Sequence, residues 1–358
     1  SNFYVSTAYV ANKLTRLPSR VVPLNALDPK LLSMGQKLND EFQPGQTSLD
    51  GVPIPYPGWV EQMTGCAPTV AQALLPYPQY CSGLFGQNEN AGNSSFHSFQ
   101  LKAEKRFSSG IWMLGSYTVS ELLTSTDSVQ ADAQLWSGAH GAISPYERRR
   151  NKALALNDVP QVLSVAMIYQ LPFGKGQRFL NTGRVVDKMV RGWQLSSIFR
   201  GTSGVPLVFR SGACNVPGQF RAGCIPALLP GANPFSQEKS SFDPANPLLN
   251  KNAFEPADSF NFYYGQGPRV SNIRGFGYYN HDLSIIKNTQ IREGVNVQFR
   301  AEFFNLWNWH NFTSKGGEDG LAGGFSAFDT DVSSPGFGIW NGSVSAPRNI
   351  QLGLKILF

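Results

Sequence analysis

The cysteines are the residues of this chain whose chemistry is easiest to infer from type and spacing. Four cysteines form two local pairs, Cys66 with Cys81 and Cys214 with Cys224. No Cys-x-x-Cys spacing occurs, and the four histidines do not lie beside the cysteines at the spacing of zinc ligands. We therefore expect two short-loop disulfides formed in an oxidising compartment. Buried free thiols remain the alternative.

Motifs for enzymatic chemistry are absent from the sequence. It contains no Gly-x-Ser-x-Gly elbow, no His-Glu-x-x-His pair, no Gly-x-Gly-x-x-Gly loop and no Walker A loop. A lysine stands between Gly174 and Gly176, but its position between two expected strands favours a turn. Acidic residues in the loops lack the spacing of an EF-hand. We expect no catalytic activity, no cofactor and no metal.

Charged side chains alternate with apolar ones along two segments. In a strand, successive side chains point to opposite faces, so residues two apart share a face. The alternation therefore places these charges together on the polar faces of two strands. The candidate lumenal charges are Lys102, Glu104, Arg106, Arg300 and Glu302.

Aromatic side chains in the long segments rich in proline, glycine and asparagine are candidate ligand contacts. Their rings suit sugars, siderophores and peptides alike, so they do not select a substrate. Packing of the loops on themselves is the alternative for each. The candidates are Tyr56, Trp59, Tyr77, Tyr80, Trp136, Tyr263 and Tyr264.

The last segment, 348–358, has one apolar face that continues to the final residue. A soluble protein rarely leaves such a strand bare, because an unpaired edge promotes aggregation. An outer-membrane barrel places the same face against lipid. The segment also resembles the C-terminal signal that the bacterial barrel-insertion machinery reads. The residues at the positions of that signal are Gln351, Gly353, Ile356 and Phe358.

The same alternation recurs along the chain and predicts about eight strands, with the ~9–11 residues that a tilted strand needs to cross a bilayer. The connections between them are alternately short and long. Barrels have short periplasmic turns and long extracellular loops, so this order predicts a periplasmic C-terminus. The expected strands are 2–10, 97–107, 111–120, 162–171, 192–200, 282–291, 295–306 and 348–358.

Composition agrees with a β-rich membrane protein. Charged residues are 15% of the chain, below the roughly 25% of a typical soluble domain. No apolar run approaches the ~18–20 residues of a transmembrane helix. The net charge of +6 would suit nucleic-acid binding, but the dense cluster 148–150 lacks interleaved aromatics, and other cations alternate with acids. We expect no nucleic-acid partner.

Several sequence segments, which we call phrases, together resemble the C-terminal half of TonB-dependent outer-membrane receptors. The similarity is to the group common in acidobacteria, whose N-terminus carries a carboxypeptidase-regulatory-like domain. The phrases follow the family's order over almost the whole chain, and a mild departure is Glu121, where the family usually has lysine. They are Leu74–Tyr80, Ser94–Gly110, Gly115–Ser120, Tyr169–Phe179, Arg191–Leu207, Val297–Phe312 and Pro347–Phe358.

The resemblance implies an all-β, antiparallel transmembrane barrel of roughly 22 strands, of which about eight are present. Residues 1–358 would be its C-terminal part, with the plug domain, TonB box and signal peptide outside this chain. It implies energised uptake of a ligand such as a glycan, siderophore or peptide. The implied partners are outer-membrane lipid, the barrel-assembly machinery, and the TonB system acting through the plug.

Alternatives remain open. The lumenal charges would meet the plug, or be solvated in a wet lumen. The chain could instead be a secreted or surface β-sandwich that binds a polysaccharide or a protein. It could also be a small barrel that closes on itself.

Overall fold

A computed structural model of the protein describes residues 2–19, 22–81, 84–86, 89–125, 143–174, 176–180, 184–220, 223–314 and 327–358. Its main element is one antiparallel sheet in which eight long strands follow one another in chain order. The short strand Ala153–Leu154 extends this sheet by pairing with the third of them. The long strands are β1 (Phe3–Ser19), β2 (Glu89–Ser108), β3 (Ile111–Thr124), β4 (Gln161–Gln170), β5 (Trp193–Thr202), β6 (Tyr278–Arg292), β7 (Val295–Phe304) and β8 (Asn349–Leu357).

The register gives the sheet one polar and one apolar face. One row across β1 to β5 joins Ser6, Lys102, Ser116, Ser164 and Arg200. The adjacent row, on the opposite face, includes several apolar side chains. A shift of one residue in any strand would move its apolar side chains to the polar face. The predicted all-β class and antiparallel order are confirmed. Members of the apolar face are Phe99, Leu101, Val119, Leu163, Phe299, Ile350, Leu352 and Leu354.

Those apolar side chains are exposed in the isolated chain. An exposed apolar surface of this extent marks a protein or membrane contact. The face is therefore suited to contact with lipid.

The sheet has two edges. Within the described residues, β1 pairs with β2 and β8 pairs with β7, and no ladder joins β1 to β8. Among the described residues, β1 and β8 are therefore the edges of an open sheet, and the alternative of a small barrel that closes on itself is neither shown nor tested.

β1 and β2 extend well beyond their predicted ends. β1 continues past residue 10 and β2 begins before residue 97, with Lys13 opposite Ser95 and Thr15 opposite Asn93. Both faces are largely polar in this extension, so the sequence shows no period of two in hydrophobicity. The remaining strand boundaries lie within a few residues of those predicted.

The connections fall into two groups at the two ends of the sheet. β2–β3 and β6–β7 are joined by tight turns, and β4–β5 by residues 171–192. Because successive strands run in opposite directions, the four long connections share the other end.

Short helices lie within the connections. The described helices are α1 (Trp59–Gln62), α2 (Val70–Ala73), α3 (Arg184–Val190) and the 3-10 segments Pro29–Asn39, Arg148–Asn151, Lys239–Ser241, Lys251–Ala253 and Ala257–Ser259. Two small ladders pair Val22–Pro23 with Phe85–Gly86 and Ser48–Leu49 with Val52–Pro53. Among the described helices, none has the length and apolar character needed to cross a membrane.

The hydrophobic core lies in the long connections and not in the sheet. We call the described segments 24–81, 143–160, 203–220, 223–277 and 327–346 the loop cap. Its fully buried side chains include Leu27, Leu38, Trp59, Val70, Leu248, Leu249 and Phe260. Few side chains in the described strands are buried, among them Ser98, Thr124 and Ile286. The loop cap therefore has a core of its own, whereas the sheet leaves its apolar face for an external partner.

Candidate functional site

The loop cap carries most of the candidate ligand residues, and a buried asparagine organises one part of it. The Asn25 side chain donates to the carbonyl of Tyr77 and accepts from its N–H, both at 2.9 Å. It also lies 3.5 Å from the carbonyl of Tyr80. A buried amide with satisfied hydrogen bonds fixes the surrounding backbone. Asn25 therefore holds the two tyrosines in a defined place.

Three long connections meet beside that asparagine. The Leu27 N–H donates to the carbonyl of Gln219 at 3.1 Å, joining the first and third long connections. The Tyr146 hydroxyl donates to the carbonyl of Ala26 at 3.3 Å, joining the second. The loop cap is thus a single packed unit in which contacts between connections fix the loops.

Both predicted disulfides are present. Cys66 is bonded to Cys81 and Cys214 to Cys224, with Cα–Cα distances of 5.4 and 5.5 Å. The first bond involves Cys81, the residue directly after Tyr80. It joins the backbone at Tyr80 to Cys66, in the turn that follows α1. The second lies in the third long connection, where Cys224 is buried in the cap core.

Removing the first disulfide is expected to loosen the loop cap and leave the sheet intact. A crosslink that closes a loop of 15 residues contributes about 3 kcal/mol by restricting the unfolded chain. Replacing Cys66 and Cys81 together by serine should therefore speed limited proteolysis within 24–81. The single variant Cys66→Ser leaves a free thiol and serves as a comparison. Equal protease resistance of the double variant and the unmodified protein would contradict the prediction.

An ion pair between the buried Asp158 and the partly buried Arg274 fixes the loop cap to the end of the sheet. Arg274 donates to the Asp158 carboxylate at 2.5 Å and to the Asp158 carbonyl at 2.8 Å. The other carboxylate oxygen accepts from the N–H of Leu122 in β3 at 2.7 Å. Removal of one partner of a buried pair leaves an uncompensated charge, at a cost of about 3–5 kcal/mol. This contact therefore joins the second and third long connections firmly to β3.

Two predicted ligand tyrosines have structural partners. The Tyr264 hydroxyl donates to Glu147, and the Arg150 guanidinium lies 4.8 Å from the centroid of its ring. The Tyr263 hydroxyl donates to Glu255 at 2.7 Å. Burial and then the hydrogen bond to the neighbouring carboxylate raise the pKa of each tyrosine to about 12. Both hydroxyls therefore stay protonated and donate at neutral pH.

The predicted ligand residues separate by exposure. Trp59 and Tyr264 are buried in the cap core, where the Trp59 indole donates to the carbonyl of Pro78 at 3.2 Å. Their burial makes them supports of the cap and not solvent-facing contacts. Tyr56 and Tyr263 are half-buried. Trp136 lies outside the described residues.

Tyr77 and Tyr80 remain as exposed candidates, at 45% and 49% of their full accessible surface. Tyr146 is similarly exposed, and its contact with Ala26 places it beside the same asparagine. Sequence reasoning missed Tyr146, although it lies two residues before the cluster of basic residues 148–150. We call Tyr77, Tyr80 and Tyr146 the tyrosine surface.

The polar face of the sheet holds the predicted lumenal charges. Lys102 pairs with Glu104 at 3.3 Å and Arg300 with Glu302 at 3.4 Å. Both pairs are partly exposed, so each contributes little to stability by itself. Arg106 is exposed near the turn between β2 and β3, and its N–H donates to the carbonyl of Asn2 at 2.8 Å.

A serine–histidine contact on the apolar face has the distance of a nucleophile and a base. Ser197 Oγ lies 2.8 Å from Nε2 of His281. However, the Trp307 indole N–H donates to His281 Nδ1 at 2.8 Å. An Nδ1 that accepts leaves the neutral ring protonated at Nε2, so the histidine donates to the serine and cannot take its proton. The arrangement is that of an interfacial aromatic cluster, with Phe199 and Trp309 beside it.

The predicted assembly-signal residues lie on β8 at the edge of the sheet. Gln351 pairs with Glu302, Gly353 with Arg300 and Ile356 with Val297. Nothing lies within 4 Å of the position that a Cβ on Gly353 would occupy, so packing does not demand a glycine there. Phe358 is 100% exposed. The folded sheet therefore gives no reason of its own for a terminal aromatic residue.

Comparison with known proteins agrees with this geometry. A family model for the outer membrane beta barrel domain matches residues 1–351. No curated protein matches the chain. The match covers β1 to β7, the first three residues of β8 and every segment of the loop cap. The chain therefore belongs to the outer membrane beta barrel domain family, and the exposed apolar face of its sheet is suited to contact with the lipid of the outer membrane.

Proposed function

We propose that residues 1–358 form the C-terminal part of the barrel of a TonB-dependent receptor, which takes up a ligand with energy from the inner membrane. The proposal is supported by the phrases that resemble this family and by the loop cap at the end of the sheet. It assigns no catalytic step and no cofactor to this chain. The energy would enter through TonB acting on a plug domain.

The observation that carries the proposal is the polar face of an open sheet. The interior of a closed barrel of about eight strands is just wide enough for its own side chains to fill. Here the pairs Lys102–Glu104 and Arg300–Glu302 stay partly exposed, and no pairing joins β1 to β8 in the part of the chain that the structure describes. A sheet with a charged and partly exposed polar face suits the wall of a wider barrel. Further strands would close that barrel, and its lumen would hold a plug. The polar charges would then face that plug.

The proposed orientation follows from the two groups of connections. Long connections of barrels face outward and short turns face the periplasm. The loop cap would therefore contact the ligand outside the cell, and Phe358 would lie on the periplasmic side. The barrel-assembly machinery would read the C-terminal residues during insertion.

The test is genetic and uses growth on candidate ligands. A strain that lacks this gene and a strain that lacks TonB function are grown with glycans, peptides or iron chelates as limiting nutrients. We expect both strains to lose growth on the same nutrient, with no further loss when the mutations are combined. A nutrient whose uptake needs this protein but not TonB would contradict the proposal.

Substitution of the tyrosine surface is expected to weaken ligand capture without altering the barrel. Tyr77 and Tyr80 are exposed, and stacking on an aromatic ring contributes most where the ring is held in place, as Asn25 holds these. Tyr77→Ala with Tyr80→Ala should reduce uptake of the nutrient found above at low concentration. Tyr4→Ala, on the sheet and away from the loop cap, is the matched control. Unchanged binding of ligand by the double variant would exclude these tyrosines as contacts.

A further inference from the structure

The connection between β4 and β5 folds outward, onto the apolar side of the sheet. Trp193 and Lys287 are cross-strand partners on the apolar face. The Trp193 indole donates to the carbonyl of Met189 at 2.9 Å. The Lys287 ammonium donates to the carbonyls of Lys188 and Arg191 at 3.1 and 2.6 Å. These bonds hold the end of α3 beside the lipid-facing surface and away from the polar face.

The same connection exposes both apolar and cationic side chains. Met189 is 69% exposed, and Phe179 and Leu180 are also exposed. The Arg178 guanidinium lies 5.3 Å from the centroid of the Phe179 ring. Lys188 and Arg191 are exposed as well. The two tight turns at the same end of the sheet each expose one large apolar side chain, Phe107 at 53% and Ile291 at 62%, whereas this connection exposes three and includes a helix.

A second lysine marks the level of the membrane surface at this end. Lys105 also lies on the apolar face, and its ammonium donates to the carbonyl of Ser108 at 3.0 Å and to the Ser108 hydroxyl at 2.9 Å. Long side chains in this position leave their stems in apolar surroundings and bring the charge to the polar boundary. Lys105 and Lys287 therefore place the headgroup layer beside the turns, at the height of α3.

We propose that the connection between β4 and β5 is a membrane-surface anchor that binds phospholipid headgroups of the adjacent leaflet. Phe179, Leu180 and Met189 enter the boundary between headgroups and acyl chains. Arg178, Lys188 and Arg191 bind lipid phosphates and favour anionic phospholipids. The mixture of apolar and basic side chains is typical of segments that lie in the membrane interface.

Phospholipid is the occupant that the surroundings favour. The anchor continues the lipid-facing surface of the sheet through Trp193, so any lipid around the barrel reaches it. Its exposed cations complement phosphate. The proposal rests on the barrel family alone, so failure of the transport proposal would leave it standing.

Fluorescence quenching by nitroxides at a known depth in the bilayer tests the proposed anchor. All four native cysteines are in disulfides, so Met189→Cys can carry a thiol-reactive fluorophore. Glu293→Cys, in the tight turn between β6 and β7 at the same end, is the matched control. Folded protein is reconstituted in vesicles of phosphatidylcholine and phosphatidylglycerol that contain lipids with a nitroxide near the headgroup.

We expect nitroxide lipid to quench the label at position 189 several-fold more than the label at 293, and aqueous iodide to show the reverse order. Equal quenching at the two positions would overturn the anchor. Protection of position 189 from both quenchers would also overturn it, because a protein surface would then cover the site.

The charge requirement is tested separately. In vesicles of phosphatidylcholine alone, quenching at position 189 should fall, and replacing Arg178, Lys188 and Arg191 by glutamine should abolish the difference between the two lipid mixtures. If nitroxide lipid quenches the label at position 189 equally in both lipid mixtures while Arg178, Lys188 and Arg191 are present, the proposed binding of anionic phospholipid is wrong. Heat-modifiable gel mobility checks that each variant is folded before the measurement.

Discussion

Phe358→Ala is expected to reduce the amount of folded protein in the outer membrane to a small fraction of the unmodified level. Phe358 is fully exposed, so its ring adds no packing to the folded sheet. The loss would therefore arise in recognition by the barrel-insertion machinery and not in the stability of the inserted barrel. The measurement is immunodetection in purified outer membranes, together with the unfolding midpoint of refolded protein.

The control for this prediction is Ile350→Ala. Ile350 lies on the same strand and the same apolar face but outside the proposed signal. It should be inserted normally. Normal outer-membrane levels of Phe358→Ala would contradict the signal reading, and an equal loss in both variants would show that β8 tolerates no truncation of its apolar face.

Leu101→Arg is expected to destabilise the membrane-inserted barrel by about 2–4 kcal/mol, the cost of a cation on the lipid face near the bilayer midplane. Leu101 is exposed on the apolar face. On the same strand and face, His97 lies four residues toward the loop cap and Lys105 four residues toward the turns, so Leu101 is central. Urea unfolding of protein refolded in lipid vesicles measures the change.

The matched control is Gln100→Arg, at the neighbouring position on the polar face. Gln100 pairs with Ala8 and Thr118, and its side chain projects from the face opposite that of Leu101. A surface change of this kind usually alters stability by less than about 0.5 kcal/mol. If Gln100→Arg costs as much as Leu101→Arg, the assignment of the two faces is wrong.

The sheet could be predicted from sequence because its two faces meet different surroundings. Lipid on one side and a polar space on the other impose a period of two on every strand that crosses the membrane. Where β1 and β2 extend past the apolar band, as at Lys13 and Thr15, both faces are polar and the period disappears. The sequence therefore indicated the crossing parts of these strands and missed their extensions.

The loop cap could not be predicted in the same way. Its core joins residues from separate connections, such as Leu27 with the segment around Gln219, and no local periodicity reports such contacts. Aromatic residues that pack inside the cap therefore look the same in sequence as those that face solvent. Trp59 and Tyr77 show the difference, because one is buried and the other exposed. The short helix α3 was likewise missed, since its seven residues lie in a turn between strands.

The most direct test of the barrel assignment is the behaviour of the purified protein in detergent. An outer-membrane barrel should be extracted from outer membranes only with detergent, and should migrate differently on semi-native gels before and after heating. A protein that stays monomeric and soluble without detergent, with no heat-dependent shift, would contradict the assignment of the apolar face to lipid.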